Sequence, residues 1–430
     1  MTGTNHEQAF LELLQTEIVP SIGCTEPVAI AFAAALARRS FHALPERMHV
    51  RVSASLYKNA RKAVVPHTEG LSGVAAAAVA GLVGGRSELG LRVLETIGES
   101  HLEFIRKYLE TPFCAVEVDS ADADFSCIVT LWSGARNAFV VLRGSHTNVE
   151  RIEVDGVVLP TERLADPIVG RRSDVFRDVA FRDLYEFAKT VSLERIEPIV
   201  KPQAEANMNI ARVGLERTEG ARLGTLYPTL DPSLLGRMKA ATAAAIEARM
   251  AGAPLPVYIN SGSGNQGISA SVPIVVYAAE SAIPRERLMR ALVFSNLVAL
   301  YQKAQVGTLS AYCGAVGAVA ASACGIVLMN GGTCDEAAAV LEDTLAITAG
   351  LVCDGAKASC GAKAALALEA AAVSAALVRR KGTFESSEGI IGPSVEDTVG
   401  TVGRIAREGM ADVDKVLVDA MCSRDGIRFR

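Results

Sequence analysis

The sequence predicts an α+β protein: a large, mostly helical domain interrupted by an inserted antiparallel-sheet α/β domain. Three observations carry this. From 113 to 159, four short apolar or alternating segments lie between Gly, Asp and Asn turns, as strands do when no helix separates them. From about Ser173 onward helix-period segments follow one another, punctuated by Gly, Pro and Asp, with no strand pair among them. Cysteines in similar settings flank the sheet region, Cys24 before it and Cys313 and Cys353 after it. If those thiols meet, residues 1–44 belong with 171–430 in one discontinuous helical domain, and residues 45–170 form the insert.

Taken in order, 7–16 and 26–40 read as helices, the second with Thr25 as N-cap and Pro27 in its first turn. Met48 to Tyr57 alternates apolar and polar residues and reads as a strand. Helical pattern returns over 70–83 and 87–109, with Gly84-Gly85 between. Strands follow at 113–118, 125–131, 138–143 and 152–159. The second half predicts helices at 174–190, 193–216, 231–250, 284–304, 309–329, 334–350, 356–380, 395–408 and 411–421.

Bulk properties exclude several classes. The 430 residues suffice for two or three domains, and with half of them apolar but only 5% aromatic the core is built from Ala, Val, Leu and Ile. A net charge of −5, with no basic run longer than Arg379-Arg380-Lys381, argues against a nucleic-acid partner. The nine cysteines are irregularly spaced and form no disulfide framework, and MTGTNHEQAF carries no secretory pattern, so reduced thiols in a cytoplasmic protein are expected. A mean hydropathy of +0.27 raises the question of membrane spans. The two most apolar stretches are 312–330, rich in Gly, Ala, Ser and Cys, and 361–378, which contains Lys363 and Glu369. Both fit closely packed buried helices better than a bilayer, so no membrane partner is expected.

The run Cys353-Asp-Gly-Ala-Lys-Ala-Ser-Cys360 packs two thiols, a carboxylate and an ammonium into eight residues. Seven apart, Cys353 and Cys360 can share a helix face but are too distant for a Cys-x-x-Cys pair, and a structural role is open to both. Cys24 stands just ahead of a predicted helix, where unpaired N–H groups favour a thiolate. Gly314 beside Cys313 leaves room for a bulky group.

Gly23-Cys24-Thr25-Glu26-Pro27, Leu309-Ser310-Ala311-Tyr312-Cys313-Gly314 and Cys353-Asp354-Gly355-Ala356-Lys357 resemble the signature segments of the iron–sulfur L-cysteine desulfidases, relatives of the alpha chain of iron–sulfur L-serine dehydratases. Tyr57-Lys58-Asn59-Ala60, His146-Thr147-Asn148, Glu247-Ala248-Arg249-Met250, the run from Ser261 to Gly267 and Gly409-Met410 follow in the expected order, so the resemblance spans about residues 20 to 422. It implies a cluster-binding helical domain in which Cys24, Cys313 and Cys353 hold a [4Fe–4S] cluster. Three thiolates leave one iron open to act as a Lewis acid on the β-thiol or β-hydroxyl of an amino acid. Loss of the α-proton and of hydrogen sulfide or water would then lead to pyruvate and ammonia. Cys360 is a spare thiol beside the cluster.

Lys303 and Lys357 are candidates for the base, as buried lysines lose basicity; Lys363 and His146 stand beside them, each with the plainer reading of an ion-paired lysine or a turn residue. His67 is a weaker candidate, because the family tends to have Gly there. Gly262-Ser-Gly264-Asn-Gln-Gly267 fits G-x-G-x-x-G, but Pro273 interrupts the helix a dinucleotide site needs and Glu280 comes too early for the ribose acid. As a turn opening a helix it suits an anion, which makes Ser263, Asn265 and Gln266 candidates for the substrate carboxylate, with Asn59 and Arg249 behind them. The expected partner is a small amino-acid substrate, with homo-oligomerisation open. L-Serine as substrate, a non-catalytic iron–sulfur sensor and a small-residue transporter remain the rival readings.

Overall fold

A computed structural model of the chain describes residues 3–119, 125–161, 168–307, 309–427 and 429. Helices dominate, and the strands form two sheets. β1 (Pro20–Ile22) pairs antiparallel with β8 (Pro256–Tyr258), so a short strand of the second half, which periodicity did not reveal, meets the N-terminal segment. The larger sheet has β2 (Arg47–Ser53), β3 (Cys114–Asp119), β4 (Ser126–Ser133), β5 (Arg136–Arg143), β6 (Val149–Val154) and β7 (Val157–Leu159), in the order β3-β2-β4-β5-β6-β7.

This sheet is mixed, which corrects the antiparallel expectation. β2 and β3 run parallel, with Val50 opposite Val116, while every other neighbour is antiparallel. The connection explains it: three helices, Ala54–Ala60, Val74–Gly84 and Glu99–Leu109, lie between β2 and β3, and a parallel pair needs such a crossover. The predicted strand Met48–Tyr57 also ends early, because the chain turns at Ser53 directly into the Ala54–Ala60 helix. The predicted helix 87–109 divides into a 3₁₀ turn at Ser87–Arg92 and the Glu99–Leu109 helix; Gly90, at φ +55°, breaks the winding.

Small residues bring helices into close contact, as the composition implies. A Cβ on Gly81 would lie 2.1 Å from the carbonyl oxygen of Ala31, and one on Gly214 would lie 2.2 Å from that of Ala244. The helix Thr25–Phe41 is buried along nearly its whole length, its body packed on β4, β5 and the Val74–Gly84 helix. Val418 and Cys422 of the C-terminal helix Ala411–Asp425 join the same core. One described helix, Ser359–Arg379, is long and apolar enough to cross a membrane. Its Lys363 and Glu369 are ion-paired with Asp354 and Lys239, and the 312–330 stretch yields only the shorter helix Gly314–Met329.

Candidate active site

Four thiols, from Cys24, Cys313, Cys353 and Cys360, line one cavity of about 80 Å³. Three of them stand at helix entrances, and Cys353 lies in the loop that leads to the helix Ser359–Arg379. Cys24, rather than the predicted Thr25, is the N-cap of Thr25–Phe41, and Gly23 before it has φ +71°, where a Cβ would strike Pro66 at 2.2 Å. Cys313 caps the helix Gly314–Met329, so the predicted helix 309–329 begins five residues late, at Gly314. The reason is tertiary. The Cys313 N–H donates to the Leu351 carbonyl at 3.1 Å, and the Cys353 N–H to that of Ala311 at 2.6 Å. The two cysteine loops thus form a short antiparallel ladder about the Tyr312–Val352 bridge. Cys360 sits in the first turn of Ser359–Arg379, its Sγ donating to the Gly355 carbonyl at 3.5 Å. The other five cysteines are absorbed by the core and sheet; Cys324, for instance, bonds back to the Ala320 carbonyl.

The carboxylate of the cavity lining is Glu26, a residue the sequence reasoning did not single out. It is 8% exposed and accepts hydrogen bonds from Cys24 Sγ at 3.0 Å and Thr25 Oγ1 at 3.1 Å. Burial works to raise its pKa, but His146, the Cys24 bond and Arg249 outweigh it and hold the carboxyl below its usual range. Cys24 is pushed well up, by burial first and then by Glu26, with Arg249 opposing. Burial, then Cys353 and Cys360, push Cys313 up to about 12. The available signal for Glu26 was its place as the one acid in the first turn of an otherwise apolar helix start.

Lys303, on the helix Arg285–Val306, lines the cavity and is 7% exposed. Burial, then Arg172, lower its pKa to about 8, against the pull of Cys353, Glu26 and Glu17. Lys357 does not line the cavity: its ammonium lies 2.9 Å from the Asp354 carbonyl and is ion-paired with the Asp354 carboxylate. Lys363 pairs with the same carboxylate and donates to the Val352 carbonyl at 2.7 Å. Burial would raise Asp354, yet the two lysines hold it at about 2. His146 lines the cavity and His67 does not.

The opposite wall is built by the helix Gly264–Glu280, which continues through Pro273 and is capped by Ser263 Oγ accepting from the Gln266 N–H. Arg249, 3% exposed, lies across this entrance and donates from Nη1 to Asn265 Oδ1 at 2.9 Å. Gly264 makes room for it, since a Cβ there would lie 2.3 Å from Arg249 Nε. Arg249 Nε and Nη2 are buried with no hydrogen-bond partner among the described residues. Two such donors on one planar fork match a carboxylate. Ser263, Asn265 and Gln266 line the cavity, as does Asn59, whose Oδ1 is 3.8 Å from Cys353 Sγ. Ser261, Ser310 and Tyr312 complete the polar lining; Ser261 sits in a turn, and Ser310 in the loop that the sequence reads as the start of a helix.

No three His, Cys, Asp or Glu side chains among the described residues are grouped to hold a single metal ion. A polynuclear cluster asks something else, because its thiolates bind different irons and stand farther apart. Soft sulfur donors from three separate segments, opening on one cavity with Gly314 and Gly355 at its edge, are a donor set whose chemistry fits a [4Fe–4S] cluster.

Fold and cavity together define an α+β protein with a thiol-lined centre facing the N-terminal entrance of a helix. The chain belongs to the serine dehydratase alpha chain family, whose profile matches residues 88–419. It is thus lyase-like by descent. Among curated relatives, the UPF0597 protein of Lachnoclostridium phytofermentans is 39% identical over 96% of this chain and 98% of its own. The UPF0597 protein of Treponema denticola is 35% identical over 97% and 98% respectively. That of Finegoldia magna is 33% identical over 96% and 99%. These full-length matches include the Cys24 segment, which lies outside the family profile's matched stretch.

Proposed function

We propose that this protein is a β-eliminating lyase that converts L-cysteine to pyruvate, ammonia and hydrogen sulfide at a [4Fe–4S] cluster held by Cys24, Cys313 and Cys353. The observation that carries the reading is the meeting, in one cavity, of these thiols with the unpartnered Nε and Nη2 of Arg249. When bound, the cluster supplies a Lewis-acidic iron that makes the substrate's sulfur a better leaving group.

The chain's own residues do the rest. Arg249 grips the substrate carboxylate with its two open donors, held in orientation by Asn265, and the Ser263–Gln266 helix entrance adds N–H groups to the same anion. That places the amino acid's Cα toward the thiol side. Lys303, as the neutral amine, takes the α-proton; hydrogen sulfide leaves, and the aminoacrylate so released tautomerises and hydrolyses to pyruvate and ammonia. The buried setting keeps Lys303 within reach of neutrality near physiological pH. Cys24 must first lose the proton it shares with Glu26 before it can ligate metal. Cys360 stays a thiol beside the centre. Lys357 contributes charge through Asp354 rather than acting on substrate.

L-Serine is the second reading, favoured by the family's name. The deciding experiment is oxygen-free purification and reconstitution, followed by sulfide and pyruvate assays with L-cysteine against L-serine. Sulfide and pyruvate from L-cysteine are expected. Pyruvate from L-serine alone would reverse the substrate, and no product from either would leave a non-catalytic iron–sulfur protein.

A further inference from the structure

Lys58 is almost wholly buried, 2% exposed, on the short helix Ala54–Ala60, and its neighbour Asn59 lines the cavity. Its ammonium is ion-paired with Asp414 of the helix Ala411–Asp425 and donates to the Ser310 carbonyl at 3.3 Å. Ser310 stands three residues before Cys313, in the loop that pairs with Cys353's loop. The backbone of Lys58 meets that second loop directly: Gly355 adopts φ +99°, and a Cβ on it would lie 2.4 Å from the Lys58 carbonyl oxygen. One residue thus touches both cysteine loops and the C-terminal helix. That helix has a second anchor at its far end, where Asp425 accepts from Tyr57 Oη at 2.6 Å and is ion-paired with Arg61.

We propose that Lys58, pinned by Asp414, is a positioning residue that holds the Ser310–Cys313 and Cys353–Gly355 segments in register, so that the C-terminal helix sets the geometry of the thiol centre. The physical case is one of constraint. A carbonyl beside a ligand loop is fixed by a buried ammonium, and among the described residues that ammonium has one anionic partner, Asp414, to hold it. The Asp425 anchor docks the same helix through Tyr57 and Arg61, and among the described residues no hydrogen bond or ion pair joins it to either cysteine loop. Docking and positioning are therefore separable.

The inference rests on Cys353 as a working thiol of the proposed centre, but its test does not need iron. Iron-free protein is alkylated with iodoacetamide under native conditions, and each cysteine is followed by peptide mass spectrometry. Removing one charge alone would strand the other, so the main variant is the double substitution Lys58→Met with Asp414→Leu, which takes out the pair together. Cys353 is expected to react about tenfold faster while Cys114, in the edge strand β3 and outside the cavity lining, keeps its rate. Asp425→Asn, which weakens the other anchor, is expected to change Cys353 less than twofold. Asp414→Glu, which keeps both charges but lengthens one arm, gives an intermediate rate and serves if the double variant does not fold. An unchanged Cys353 rate in either Asp414 variant, or an equal rise in Asp425→Asn, overturns the proposal. If Cys353 loosens as expected yet no variant or parent ever takes up iron, the strut stands and the proposed function falls.

Discussion

Glu26 Oε2 lies 3.0 Å from Cys24 Sγ and accepts its hydrogen bond inside a cavity that also holds Arg249. A buried carboxylate against a buried thiol keeps that thiol protonated, because a thiolate beside it would face both desolvation and like charge. Glu26→Gln is therefore expected to lower the Cys24 pKa in iron-free protein and to speed alkylation of Cys24 at pH 8 by about an order of magnitude, read by peptide mapping.

The three-thiol reading separates four cysteines that share one wall. Cys24→Ala, Cys313→Ala and Cys353→Ala are each expected to abolish the brown absorbance after anaerobic reconstitution, whereas Cys360→Ala should keep it. Colour lost in Cys360→Ala, or retained in Cys353→Ala, would reassign the ligands.

Arg249 is the predicted carboxylate anchor, and its two open donors lose their role if it is shortened. Charge-assisted hydrogen bonds contribute about 1.5–3 kcal/mol each. Arg249→Lys should accordingly raise KM for the amino acid by about ten- to a hundredfold with a smaller change in kcat. A Lys variant with an unchanged KM would move the carboxylate site elsewhere.

Removing Lys303 is predicted to act in opposite senses on rate and on stability. If its neutral amine is the base, kcat rises with pH and levels off above about 8, and Lys303→Gln loses that limb. The folded-state pKa lies below the unfolded value, so between about 8 and the ordinary lysine range the unfolded chain binds more protons and stability rises with pH. Below about 8 the folded protein carries the full cost of a buried ammonium. Lys303→Met should thus be inactive yet melt a few degrees higher at pH 7, in iron-free protein followed by circular dichroism.

Close helix contact predicts a purely structural effect. Gly81→Ala would place a methyl 2.1 Å from the Ala31 carbonyl oxygen, so the two helices must separate. A loss of about 1–3 kcal/mol in denaturant unfolding is expected.

Much of this was legible in the residues. Alternation and helix period marked most elements, since both arise from which face of a segment is buried, and neighbouring residues report that locally. The motif around Arg249 and the Ser261–Gly267 run pointed to an anion before any packing was known. What stayed hidden depended on partners far along the chain. Residues 309–313 look helical because Leu309, Ala311 and Tyr312 are good helix or core residues, yet Cys313 and Cys353 exchange backbone hydrogen bonds with Leu351 and Ala311, which no local pattern records.

By itself, then, the sequence determined the α+β class, the small-residue helices and the types of side chain available for chemistry, because composition and periodicity act within a few residues. Tertiary structure alone decided that β2 and β3 run parallel and that Cys24, Cys313, Cys353 and Cys360 open on one cavity. It likewise decided that Lys303 faces that cavity while Lys357 turns to Asp354. Each of those outcomes is a competition for partners between segments tens to hundreds of residues apart. Burial then separates the two lysines: Lys357, partly exposed, pairs with Asp354, whereas the buried Lys303 has its pKa lowered by desolvation and by Arg172.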